Sequence, residues 1–294
     1  MVANAAAGAH DRTAIQEAVG SLAEHAPVEL RWSDGPDSLA DAADHLDGRR
    51  LVVAGGDGSL HALVNALDLR RLGEIEVAVL PVGTGNDLAR SLDVPLDPSA
   101  AARLAATGEA APVALIELRI GAHRRLVVNA VHGGVGVDAG RGAQRWKGRL
   151  GAVAYPIGAL AAGLRFTAPE VRIEADSCPM PPRAALLVAV ANGASVGGGA
   201  PVAPHAEPSA GRLELIVAWD RGRLGRLRFG AALLRGRHLG QRGVERRAAT
   251  SVRVAGLDEL NVDGELVAAP EPWEARVLPG AWRVVRGDVG EEAQ

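Results

Sequence analysis

Two short apolar runs, each followed by a glycine-rich loop and then a helical pattern, constrain this chain most. Leu51-Val52-Val53-Ala54 reads as a buried strand that runs into Gly55-Gly56-Asp57-Gly58-Ser59, after which Leu60, Leu63, Val64 and Leu67 recur at helical spacing. Ile75 to Leu80 reads as a second strand; it stops at Pro81, passes through Gly83-Thr84-Gly85 and re-enters a helix at Asn86-Asp87. Thr13 to Ala26 and Ser38 to Leu46 are read as earlier helices. Repetition of strand, loop and helix predicts a Rossmann-like α/β domain with a parallel sheet.

Beyond residue 112 the pattern changes. Val113 to Ile120, Arg125 to Val131, Val171 to Ala175, Ala185 to Ala191 and Arg212 to Ala218 read as strands, as do Val252 to Val254, Asp258 to Val262, Trp273 to Leu278 and Trp282 to Val285. Glycine and proline punctuate them, which predicts an antiparallel, β-sandwich-like second domain. One helix is expected between Leu150 and Phe166. The expected organisation is therefore residues 1–112, residues 113–286 and an acidic, frayed tail over 287–294.

Composition removes several classes. Of 32 basic residues only Lys147 is a lysine, and Gly148-Arg149 follow it, so no Walker Gly-Lys-Ser/Thr loop exists. Lone Cys178 excludes an internal disulfide and a cysteine-rich zinc site, in keeping with a reducing cytoplasm. A net charge of −3 gives no nucleic-acid signature. No apolar run approaches the roughly 18 residues of a spanning helix, and the opening residues carry no secretory pattern. A cytoplasmic protein is expected.

The loops themselves suggest chemistry. Glycines at a strand-to-helix junction let a phosphate approach the main chain, and the helix that follows offers unpaired N–H groups and a positive dipole end. Ser59 can cap that helix or donate to phosphate. Asp57 would repel a nucleotide unless a cation intervened, which suggests Mg²⁺. Taken alone, such a loop is more often a tight turn with Asp57 as a cap, and Asn86 and Asp87 can be plain caps too. The second loop, at the same sheet edge, makes a shared polyphosphate grip the better reading.

Gly55-Gly56-Asp57-Gly58-Ser59 together with Gly83-Thr84-Gly85-Asn86-Asp87-Leu88-Ala89-Arg90 resembles the diacylglycerol kinase catalytic domain, a superfamily that includes bacterial lipid kinases and the sphingosine and ceramide kinases. Further matches follow in order along the chain. Asn4-Ala5-Ala6-Ala7-Gly8 resembles the opening Asn-Pro-x-x-Gly loop without its proline, and Gly136-Val137-Asp138-Ala139 a Gly-x-Asp-Ala turn. Asn192-Gly193, Gly197-Gly198-Gly199, Pro201 to Pro204 and Asp263-Gly264-Glu265 are similar to the remaining motifs. The resemblance implies an α/β domain of the NAD-kinase and diacylglycerol-kinase type joined to a β-sandwich-like domain, with ATP in the cleft between them.

By that resemblance Asn4, Gly8, Ser33, Gly55, Gly56, Gly58, Ser59, Gly83, Thr84, Gly85 and Asn86 line the nucleotide site, Ser33 on the weakest match. Asp57 organises catalytic Mg²⁺, and Glu265 is the general base that takes the acceptor's proton. Asp263-Gly264-Glu265 on its own would read as a hairpin turn with an exposed Glu. The departures matter as well. Ala210 stands where the family's Asp ligates a structural Mg²⁺, leaving Glu207 as the only nearby substitute. His205 and Ala114 replace two more acids, and His61-Ala62 replaces Asn-Glu, although the sphingosine and ceramide branch shares that His.

Residues 221–247 hold nine arginines against the single acid Glu245, a local +8 that leaves −11 for the rest of the chain. Leu224, Leu227, Ala231 and Leu234 recur within them at helical spacing, so a basic amphipathic helix at an anionic membrane competes with an ordinary solvated helix. The eight histidines show no paired ligand spacing; His132 and His205 lie near glycine segments where a ligand could be touched, though ordinary core or surface roles are favoured. The expectation is a cytoplasmic, ATP- and Mg²⁺-dependent kinase of phospholipid metabolism acting on a lipid hydroxyl at the inner membrane surface. Its partners would be ATP, the lipid and, through self-association, a second copy, with no nucleic acid. Alternatives are a kinase for a specialised-metabolite alcohol, a non-catalytic nucleotide-binding regulator, and NAD kinase, which shares the Gly-Gly-Asp-Gly loop.

Overall fold

A computed structural model describes residues 1–5, 9–137 and 166–287. Gly8, Asp138-Ala139, the helix expected between Leu150 and Phe166 and nearly all of the acidic tail lie outside the described residues. The first half alternates β1 (Val2–Asn4), α1 (Ala9–Ala23), β2 (Arg31–Ser33), α2 (Pro36–Asp44), β3 (Leu51–Gly55), α3 (Asp57–Ala66), α4 (Leu69–Glu74), β4 (Glu76–Pro81), α5 (Asp87–Ser91) and α6 (Pro98–Thr107). Strands β2, β1, β3 and β4 pair in that order, all parallel. Each residue of β3 is buried, as a strand covered on both faces requires. Helix starts follow local chemistry: Asp68 and Asp97 cap α4 and α6 by accepting from Arg71 N and Ala100 N, both at 2.8 Å, with Pro98 in the first turn of α6. β1 and β2 are three-residue strands that carry too little periodicity to be read from sequence.

The second half contains β5 (Ala110–Ile120), β6 (His123–Val127), β7 (Ala130–Gly134), β8 (Glu170–Ala175), β9 (Cys178–Pro179), β10 (Arg183–Ala191), β11 (Leu213–Trp219), α7 (Gly222–Leu233), β12 (Val244–Ala249), β13 (Ser251–Ala255), β14 (Glu259–Val262), β15 (Glu265–Ala268) and β16 (Trp273–Val285). One layer runs β15-β14-β7-β10-β11-β12. The other runs β6-β5-β16-β13-β8-β9, and every pair in both layers is antiparallel. Val188, Val190, Leu215, Val252 and Trp273 fill the space between the layers. This is the α/β plus β-sandwich-like architecture expected.

β16 links the halves. Its first residues pair with β13, while Arg283 and Val284 pair parallel with β4, so Trp282, Val284 and Val285 enter the core of the first half. The expected division after residue 112 lies inside β5.

Three expectations need correction. Arg125 to Val131 is two strands, because the N–H groups of Val128, Asn129 and Ala130 turn to the Asp263 carboxylate instead of a neighbouring strand. Trp273 to Leu278 and Trp282 to Val285 are one strand with a register shift between Leu278 and Trp282. The arginine-rich stretch is a helix only as far as Leu233, and residues 244–249 form β12 with Arg246 and Arg247 on an outer strand.

Candidate active site

The C-terminal ends of β1, β2, β3 and β4 meet at one sheet edge, where ligands of parallel α/β sheets bind. The two glycine loops lie against each other there. A Cβ on Gly83 would sit 2.5 Å from the Cα of Gly56, so this approach requires glycine. Asn86, in the left-handed region at φ 55, closes the second loop by donating from Nδ2 to the carbonyls of Gly83 (2.7 Å) and Pro81 (3.2 Å). A Cβ on Gly55 would lie 2.2 Å from Ser59 Oγ, so that glycine lets the serine fold over the loop.

Two cavities open at this edge. The smaller, about 170 Å³, is lined by Asn4, Ser33, Gly35, Gly58 and Ser59 among others. The larger, about 710 Å³, lies between the halves and has a polar end formed by Gly56, Asp57, Thr84, Gly85, Asp87, Asn129 and Asp263. Its other walls are Val135, Leu186, Leu187, Val196, Val202 and the α7 side chains Leu227, Phe229 and Leu233. Gly58, in the first turn of α3, borders both. Of the residues expected at a nucleotide, Asn4, Ser33, Gly58 and Ser59 line the smaller space and Gly56, Thr84 and Gly85 the larger; Gly55, Gly83 and Asn86 line neither and instead shape the loops.

Carboxylates bind this region together. Asp57 accepts from the main-chain N–H of Asp87 (3.0 Å) and Leu88 (2.9 Å), capping α5 from the other loop. Burial pushes its pKa up, and those two N–H groups oppose the shift. Asp87 accepts from Ser195 Oγ (2.6 Å) and from the N–H of Gly198 and Gly199, both at 2.8 Å. The three glycines at 197–199 all have positive φ, which lets successive N–H groups turn toward that carboxylate. Asp263 has no exposed side-chain surface and accepts from Val128 N (2.8 Å), Asn129 N (2.9 Å) and Ala130 N (3.1 Å), with His61 Nδ1 at 2.8 Å. Asn192 donates to the carbonyls of Ala114 and Val128, stapling β5 to the segment before β7.

Glu265 is placed differently. It is exposed, pairs with Arg125 at 2.9 Å and does not line either cavity. A sequence reading also does not single out Asn129, Leu186, Leu187 and Phe229 as cavity walls, since strand residues at ordinary spacing give no sign that one face meets a void.

Metal fit divides in two. Among the described residues no three His, Cys, Asp or Glu side chains come together as a cation site. Around Ala210 the fit fails: Ala114 N donates to the Pro208 carbonyl, and Glu207 is exposed and accepts from Ser209 Oγ. Among the described carboxylates at the cleft, Asp87 and Asp263 are closed off by their partners, and the partly exposed Asp57 is the one that could share Mg²⁺ with phosphate oxygens, the usual way a protein holds that ion.

Residues 1–118 match the family model described as the diacylglycerol kinase catalytic domain, and residues 129–286 match the YegS C-terminal NAD kinase beta sandwich-like domain. A relative in Pseudomonas aeruginosa strain PAO1, named probable lipid kinase YegS-like, is 33% identical over 87% of this chain and 83% of its own. The chain belongs to this family. A protein of the same name in Stenotrophomonas maltophilia is 30% identical over 87% of this chain and 85% of its own. The fold also matches the crystal structure of a diacylglycerol kinase from Bacillus anthracis str. Sterne at a TM-score of 0.75 and 22% identity, covering 98% and 96% of the two chains. As a member of this kinase family the chain is a phosphotransferase with an alcohol acceptor.

Proposed function

We propose that the protein transfers the γ-phosphoryl group of ATP to a hydroxyl of a lipid, such as diacylglycerol or a related hydrophobic alcohol. The observation that carries this reading is the meeting, at the first turn of α3, of a small cavity that presents Asn4, Ser33 and Ser59 and a large aliphatic one. ATP would lie with its nucleoside toward Asn4 and Ser33 and its phosphates on the main-chain N–H groups of the glycine loop. Its transferable end would then face Asp57, Thr84 and the apolar space in which an acyl chain could rest. Asp57 would hold Mg²⁺, which would supply charge neutralisation of the phosphates.

For the chain's own groups, the main contribution is holding donor and acceptor in line in a water-poor cleft. Asp263 is committed to four partners and orders the turn that ends at Glu265. The family resemblance assigns Glu265 the acceptance of the hydroxyl proton. Its surface pair with Arg125 is of a kind worth about 0–1 kcal/mol, so the carboxylate can leave it at little cost. The aliphatic cavity favours a hydrophobic acceptor over NAD. α7 supports action at the cytoplasmic face of the inner membrane: its Leu224 is 72% exposed. Among the described residues the exposed Arg223, Arg228, Arg237 and Arg242 have no ion-pair partner. No helix among the described residues is long and apolar enough to cross a membrane.

Labelled ATP and Mg²⁺ supplied with diacylglycerol in anionic vesicles, a simple long-chain alcohol, a soluble alcohol and NAD test this reading. We expect label in an organic-extractable product, a loss of about 100-fold or more in Asp57→Ala and Glu265→Gln, and a steep fall in vesicle binding with salt. Transfer to NAD alone, or ATP binding with transfer to nothing, overturns the lipid kinase.

A further inference from the structure

A single imidazole interrupts the wall of the large cavity. His132 sits at the centre of β7, between Ala189 of β10 and Asn261 of β14, and shares its face with Ala130. It is 8% exposed. The ring turns Nδ1 inward beside Gly136, where an added Cβ would be 3.0 Å away, and that nitrogen is sealed without a hydrogen-bond partner. Nε2 is left as the nitrogen that reaches the cavity.

A buried polar group without a partner is unfavourable and uncommon, and an aliphatic side chain would complete this wall at no such cost. Burial lowers the His132 pKa to about 4, so the ring is neutral at physiological pH. A neutral ring carries one proton. With that proton on Nε2 only a lone pair is enclosed at Nδ1, and the cavity is offered an N–H donor. Phosphate is the wrong partner for an uncharged ring in an aliphatic wall; an uncharged oxygen is the right one. The position along β7 fits, because His132 stands between Ala130, whose N–H donates to Asp263, and Gly134, which pairs with Leu187, and Asp263, His132 and Leu187 all line the cavity.

We infer that His132 is a specificity-determining residue whose Nε2–H donates to a carbonyl or ether oxygen of the acceptor, close to the hydroxyl that is phosphorylated. This rests on the reading of the large cavity as the acceptor site. It narrows the substrate class to hydrophobic alcohols bearing a second, uncharged oxygen beside the reacting one, as an acylglycerol does. Simple long-chain alcohols and protonated amino alcohols lack that match.

The test uses the full chain with ¹⁵N-labelled histidine and two probes in the same micelles, 1,2-dioctanoylglycerol and 1-dodecanol. The His132 resonance is identified by its absence in His132→Leu. Dioctanoylglycerol is expected to shift the His132 Nε2 signal and dodecanol to leave it in place. In the kinase assay His132→Leu should raise KM for dioctanoylglycerol by about tenfold, the worth of one neutral hydrogen bond, with kcat, the KM for ATP and the KM for dodecanol unchanged. His132→Asn, which keeps a donor, should recover part of the loss and guards against a misfolded leucine variant. Equal KM changes for both acceptors, no change for either, or an unmoved Nε2 signal overturns the inference. Absence of phosphoryl transfer in the wild type would overturn the kinase reading, while the resonance would still decide the role of His132.

Discussion

The cleft and the loop at residues 203–212 are held by opposite means. At the cleft Asp57, Asp87 and Asp263 together accept from seven main-chain N–H groups, a serine hydroxyl and a histidine. At the loop, where the family resemblance implies a metal-binding acid and this chain has Ala210, the ties include main-chain bonds such as Ala114 N to Pro208 O at 2.8 Å and Ala210 N to Glu207 O at 2.9 Å. Buried charge needs stoichiometric donors to be tolerated; at the cleft these are mostly main-chain N–H groups, whereas the buried Glu117 and Glu214 of the sandwich strands are met by Arg119, Arg124 and Arg246.

The comparison breaks most visibly at Asp263. Asp263→Ala removes the partner of three main-chain N–H groups and of His61, all in a region closed to water. A loss of about 3–5 kcal/mol in stability is expected. In a chain of this size that lowers the thermal midpoint by roughly 10 °C. Asp263→Asn keeps one acceptor oxygen and tolerates the residue's φ of 48, so it should cost distinctly less. A Tm within a degree or two of wild type for the alanine variant would show that the cleft does not depend on this carboxylate.

A second, smaller effect comes from acid. His132 has a folded pKa of about 4 against 6.5 when unfolded. A depressed histidine contributes stability that is present above the unfolded value and is lost as pH falls through the folded one. From pH 6.5 down to about 4 the protein should therefore lose on the order of 3 kcal/mol from this residue. His238, also lowered by burial, adds to the same slope from behind α7. Urea titrations across that range should show a shallower loss in His132→Leu; an identical slope would mean that the ring is not held neutral by the fold.

These effects also explain what the sequence could disclose. The glycine loops and β3 and β4 were legible because continuous apolar runs and loop residues are local signals. Asp57 was legible as a residue of interest, but its partners, the N–H groups of Asp87 and Leu88, lie in the other loop and leave no mark at its own position. The split between β6 and β7 was hidden for the same reason, since it is made by Asp263, more than a hundred residues away. α7 misled in a different way: its helical spacing is real, yet Phe229, not the Leu224 to Leu234 stripe, provides its buried anchor, and Leu227 and Leu234 face the cavity. His132 was visible as a histidine near glycines. Only the sheet pairing shows which face of β7 carries it, and so which space it enters.

The smallest effects belong to the loop. Glu207 and Ser209 are exposed and bonded to each other, with Arg286 donating to Ser209 Oγ at 2.9 Å. Ser209→Ala and Glu207→Ala should each change stability by less than about 0.5 kcal/mol, as surface positions do. A resident divalent cation would stabilise the fold by mass action, by about 2.7 kcal/mol when its concentration is a hundred times its Kd. With Ala210, Ala114 and the exposed His205 offering no carboxylate, the nucleotide-free protein should melt at the same temperature in EDTA and in excess Mg²⁺. A rise in Tm with Mg²⁺ that is abolished by Glu207→Ala would show that the loop recruits its one acid to an ion, and the contrast with the cleft would then be one of degree.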